Sequence, residues 1–218
     1  MNLKPLISFV AIAGLAACGG GTVGVGGGGG AGGGTTFESV LSDFRTSSVI
    51  DEATATDGEL ITFEALSAGG SASYTGSTLL FLADDFDEIS GQPEVDIEGI
   101  EDLPDPSLVG SVNLTTTFSG DGGTVEGAFT DFIDRDGNTK SGSLTLANGE
   151  SGDFFGTAAF GAEFNGTLTG AGLGSRSYDG ELLGFFTPDD GVVGIGAESL
   201  EDDVNDDASF ALIFVAEQ

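Results

Sequence analysis

The sequence predicts an all-β protein, a single eight-stranded antiparallel up-and-down β-barrel with a small N-terminal appendage. Three observations lead there. From residue 72 onward, short apolar runs alternate with period two and are separated by glycine-rich turns. Along Tyr178, Gly180, Leu182, Gly184 and Phe186, large side chains alternate with glycine on one face, as the interior of a small barrel requires. The 218 residues include 39 glycines, 17 phenylalanines and five prolines, and 39% are hydrophobic, enough to bury a core despite a net charge of −31.

The strands follow in order. Ser73–Leu82 is the first run. In Val112–Phe118, the face Val112, Leu114, Thr116, Phe118 opposes Asn113, Thr115, Thr117. Residues 119–123, Ser-Gly-Asp-Gly-Gly, read as a hairpin turn, and Thr124–Ile133 returns. Residues 134–138 turn again, Gly142–Leu146 is a strand, and residues 148–152, Asn-Gly-Glu-Ser-Gly, read as another turn. Phe154–Phe160, Glu163–Thr169, Tyr178–Phe186, Val192–Ala197 and Ala208–Ala216 complete nine candidate runs for eight strands. Phe154, Gly156, Ala158 and Phe160, then Phe164, Gly166 and Leu168, are read as inward faces. Asn113, Thr115, Thr117, Glu163, Asn165 and Glu181 are read as outward, a polar wall that lipid would penalise.

The appendage spans 35–71. Phe37–Phe44 has the spacing of one or two amphipathic helical turns with Thr36 as its cap, and Gly58–Leu66 reads as a short strand. Before it, residues 1–17 read as a lipoprotein signal peptide. Lys4 supplies the positive start, and Leu6–Leu15 is a short apolar stretch, too short for a span of about 20 residues. Leu15-Ala16-Ala17-Cys18-Gly19 resembles a bacterial lipobox, which implies acylation of Cys18, the only cysteine, and anchoring in the outer membrane. Two or more acyl chains hold a protein where one is marginal. Residues 19–34 hold 12 glycines and, after lipidated Cys18, read as a flexible tether of about 22 Å r.m.s. reach.

Several stretches together resemble a known family. They are Ala72–Gly76; Phe118 with Gly122–Gly127; Phe160–Gly166; Tyr178–Asp190; and Val193–Gly196. This pattern resembles the β-barrel domain of the transferrin-binding protein B family and is similar to the related barrel of factor H-binding protein. The resemblance covers about 72–218. It implies an outer-membrane or cell-surface lipoprotein that captures an extracellular protein or solute.

Composition narrows the function. There are 36 acidic residues, five basic ones and no histidine. Such a chain cannot assemble a basic nucleic-acid face. It also lacks an imidazole base or metal ligand, and the sequence leads us to expect no enzyme and no cofactor. Asp134–Asn138 has the look of a calcium loop, but glycine falls at position four and Thr145 at position twelve, so an Asx hairpin turn is the better reading. Ten acidic residues lie between Asp84 and Asp105 with no basic one. Both a solvated loop and a docking or cation-collecting loop fit them. If loops carry binding, the candidates are Asp84, Asp85, Asp87 and Glu88; Pro188, Asp189 and Asp190 at the Thr187–Asp190 corner; and Asp202 and Asp203 in the 201–207 turn. Their charge selects a partner with a basic face. The alternative is a structural surface lipoprotein whose acidic coat hydrates the envelope without a specific ligand.

Overall fold

Period-two alternation, repeated in every strand, places one side chain in two on a shared face, and closing the sheet buries that face. The protein is described by a computed structural model over residues 35–50, 61–62, 70–82, 105–119, 122–154, 156–188, 190–198 and 210–218. Eight strands run in chain order: β1 Gly70–Leu82, β2 Leu108–Ser119, β3 Gly122–Asp134, β4 Ser141–Phe154, β5 Thr157–Gly170, β6 Gly174–Phe186, β7 Gly191–Ala197 and β8 Phe210–Glu217. Each pairs antiparallel with the next, and β8 pairs with β1 to close the barrel. No sheet edge is left open.

The lumen is solid. Ring centroids 5.1–6.5 Å apart link Tyr74, Phe118, Phe186, Phe160, Phe214, Phe129, Phe164, Phe210 and Tyr178 into one continuous chain through the barrel. Glycines make room for it. A Cβ on Gly184 would collide with the Phe160 ring, one on Gly194 with the Phe214 ring, and one on Gly196 or Gly180 with the Phe164 ring. The predicted large–glycine alternation of β6 is therefore a set of seats for rings from neighbouring strands. Each ring buried this way contributes about 1.5–3 kcal/mol, and tilted or edge-on pairs add about 0.5–1.5 kcal/mol.

The outer wall has two halves. Asn113, Thr115, Thr117, Glu163, Asn165 and Glu181 are exposed as the alternation requires. Elsewhere the wall is apolar. Leu183, Ile195, Ile213, Leu79, Val109 and Ile133 are cross-strand partners in one row from β6 round to β3. Helix α1, Phe37–Arg45, packs on this side, burying Phe37, Val40, Leu41 and Phe44, with Val49 and Ile50 behind it. Those positions recur at i, i+3, i+4 and i+7, the stripe of an amphipathic helix. Its start is fixed by a capping box: Ser39 N–H donates to Thr36 Oγ1 at 3.2 Å, and Thr36 N–H to Ser39 Oγ at 3.0 Å. The expected helix and cap are present, and the appendage packs alongside the barrel through residues 37–50.

Three expectations need correction. The run Gly142–Leu146 and the turn at 148–152 are both parts of β4, which continues to Phe154. A bulge absorbs the turn-like residues: Asn148 takes φ 52°, and pairing resumes at Glu150 opposite Gly161. The chain reverses instead at Gly156, with φ 92°, so Phe154–Phe160 is not a strand and Phe154 is 48% exposed rather than inward. Ala158 and Phe160 join Glu163–Thr169 in β5, which reduces nine runs to eight strands. In the predicted Gly58–Leu66 strand, Ile61 and Thr62 are not in a strand, and the remainder lies outside the described residues. Ile61 packs on the lumen cluster and its carbonyl accepts from Ala158 N–H at 2.7 Å.

Phe164→Ala and Phe186→Ala should each lower unfolding free energy by about 3–5 kcal/mol, read by urea denaturation. Gly194→Ala should also destabilise, because its methyl has to displace the Phe214 ring. Near-wild-type midpoints in all three would refute the packed lumen.

Candidate functional site

A barrel of eight strands can hold a small ligand only if its interior is left open. Here rings occupy the axis, which leaves the connections at the two ends as the candidate region. At one end lie the β2–β3, β4–β5 and β6–β7 connections. At the other lie β1–β2, β3–β4, β5–β6 and β7–β8. The first are short. The second include the 25-residue stretch between Leu82 and Leu108 and the 12-residue stretch between Ala197 and Phe210. Those two stretches carry sixteen of the 36 acidic residues.

The topology thus gathers two of the three predicted loop candidates and separates the third. The strand ends that anchor Asp84, Asp85, Asp87 and Glu88, and those that anchor Asp202 and Asp203, share the long-loop end. These six residues, Asp189 and Cys18 themselves lie outside the described residues. Pro188 and Asp190 are exposed at the opposite, short-loop end. Their corner is closed by backbone bonds, Thr187 N–H to Gly191 O at 2.9 Å and Gln218 N–H to Asp190 O at 3.1 Å, with Asp190 at φ 60°. The three candidates do not form one site.

Cations gather at the long-loop end, a grouping that scattered sequence positions did not suggest. Arg45, at the end of α1, pairs with Asp105 at 3.1 Å. Both groups are exposed, so this pair contributes about 0–1 kcal/mol. Arg135, in the β3–β4 turn, donates from Nε to Pro106 O at 2.9 Å and from Nη2 to Asp105 O. The two arginines therefore hold the chain where the long acidic stretch re-enters β2. Arg176 lies 5.7 Å from the Tyr178 ring centroid, a cation–π contact.

Lys140 is the most buried of these cations. Its side chain is 2% exposed, and Nζ donates to Asp134 Oδ2 at 2.5 Å and to Ala171 O at 2.6 Å. It ties the β3–β4 turn to the β5–β6 turn. Asp134 also accepts the N–H groups of Asp136 at 3.0 Å and Asn138 at 2.8 Å through Oδ1. This is the Asx turn expected for 134–138, with its carboxylate engaged by protein donors rather than free for a cation. Among the described residues no group of three or more acidic or cysteine side chains is arranged to hold a metal ion.

Burial opposes the charge on Asp134, but Lys140 and Asn138 outweigh it and hold its pKa down to about 2. A depressed carboxylate pKa stabilises the fold above its unfolded value, near 3.8, and that contribution disappears as pH falls through about 2. The stability difference between wild type and Asp134→Asn should therefore be constant above about pH 5 and shrink steadily below pH 4, measured by denaturation across pH. A pH-independent difference would contradict the ion pair. Compared with protein-family models, curated proteins and solved structures, the chain matches none.

Proposed function

We propose that the protein is an outer-membrane lipoprotein, anchored through acylated Cys18, whose long-loop end binds an extracellular protein or solute that presents a basic face. The observation that carries this reading is the pairing of a filled lumen with sixteen acidic residues on two connections at one end. Electrostatic complementarity then steers a cationic partner to that end, with an on-rate that falls as salt screens the field. The lipobox-like Leu15–Gly19 and the glycine-rich tether support the anchor. The likeness to the transferrin-binding protein B barrel supports capture at a surface. The polar half of the wall, facing water with Asn, Thr and Glu, suits a barrel standing clear of lipid.

Two experiments test this. Cys18→Ala should leave the membrane fraction or remain unprocessed; a variant trimmed and membrane-bound as before would exclude the anchor. In a pull-down from native medium, the full 35–218 fragment should retain a partner that the same fragment without 86–104 loses, and retention should weaken with salt. If neither fragment retains anything at low salt, with calcium present and absent, the structural, envelope-hydrating reading replaces this one.

A further inference from the structure

Two unpartnered hydroxyls interrupt the apolar lumen against β2, β3 and β4. Thr116 Oγ1 and Ser151 Oγ belong to residues 0% and 6% exposed, and neither atom has a hydrogen-bond partner in the protein. Both side chains face inward. Thr116 shares its face with Val112, Leu114 and Phe118. Ser151 lies opposite Phe160 of β5 and Gly123 of β3.

The two hydroxyls lie on either side of β3, on its inner face. Thr116 pairs with Val125 and Ser151 with Gly123, two residues away on the same strand and the same face. Gly123 has no side chain to separate them: a Cβ there would stand 2.5 Å from Ser151 Oγ and 3.3 Å from Phe118 Cα. Ser151 therefore leans over Gly123 toward β2, the strand of Thr116. The next neighbour of Val125, Gly149, is also bare. A third hydroxyl, that of Tyr74 on β1, stands beside Thr116. Burial raises the Tyr74 phenol pKa, and its contact with Thr116 offsets part of that rise. Yet Thr116 is left without a hydrogen bond of proper geometry.

A buried hydroxyl with no partner loses its hydration and gains nothing in exchange, and protein interiors hold few of them. The usual remedy is an internal water with two to four polar partners. We infer that Thr116 and Ser151 form a buried water-binding site that bridges β2 and β4 over Gly123, with the Tyr74 hydroxyl as its third partner. The ligand is a water-sized molecule that both donates and accepts. The site makes this end of the aromatic core a hydrated joint between strands that share no ladder.

The sign of a melting shift tests it in the full chain. Thr116→Val keeps the volume and removes the hydroxyl, and Ser151→Ala does the same at the other side. With a shared water, each variant should melt about 2–4 °C lower. The double variant should lose little more than the larger single, because the second substitution acts on a bridge already broken. A rise in Tm for both singles would mean that the hydroxyls are unmet, and strict additivity would mean that they share nothing; either result overturns the site. On wild-type protein, NMR should show a long-lived water with cross-relaxation to the Val125 and Gly149 amides. Its absence there would overturn the site without recourse to any variant.

Discussion

The packing of phenylalanine rings against bare backbone is the constraint on which the rest of this protein depends. An eight-stranded barrel is just wide enough for side chains to fill it. The nine linked rings can lie in the lumen only because Gly180, Gly184, Gly194 and Gly196 leave their inward positions empty. The arrangement is reciprocal: Phe164 from β5 uses the space at Gly180 on β6 and Gly196 on β7, and Phe160 uses that at Gly184. Adding a methyl at such a glycine displaces a ring, and deleting a ring leaves a void that backbone cannot fill. The interior is spent on this packing, and phenylalanine rings from β2, β3, β5, β6 and β8 line the barrel axis.

The inner face was legible in the sequence because it obeys a short-range rule. Tyr178–Phe186 alternates large residues with glycine, and every large member is buried. Helix α1 was legible too, since Thr36 and Ser39 form a local cap and Phe37, Val40, Leu41 and Phe44 repeat at helical spacing. What escaped was long-range or conformational. Residues 148–152 have the composition of a turn, but in β4 they form a bulge, and the real reversal sits at Gly156. Composition alone does not distinguish a glycine-rich bulge from a glycine-rich turn, because both need the same left-handed backbone.

The apolar outer wall has its own signal in the sequence. Gly191–Ala197 and Phe210–Ala216 are almost unbroken apolar runs rather than alternating ones. A strand covered on both faces reads that way, and here the second cover is α1 with Val49 and Ile50. The candidate site was legible only in part. Acidic loops can be counted in the chain, but whether they meet depends on which end of the barrel each connection occupies. Strand parity decides that: β1–β2 and β7–β8 fall together, and the Thr187–Asp190 corner falls opposite. Arg135 and Lys140 share the β3–β4 turn, but Arg45 lies 90 residues before Arg135 and joins them only because the fold brings α1 and that turn to Asp105 and Pro106.

The division of labour that results is simple in physical terms. Apolar and aromatic surface is consumed inside the barrel and beneath α1, while much of the negative charge is carried by connections at one end. A direct measurement of that division is the titration of ¹⁵N-labelled protein with a short oligolysine at low salt, followed residue by residue through amide shifts. The account predicts saturable shifts at Leu82, Leu108, Arg135, Ala197 and Phe210, all lost at high salt, with Phe160, Phe186 and Gly191 unmoved. Shifts centred on the Thr187–Asp190 corner or on lumen residues, or uniform shifts over the whole barrel, would contradict it.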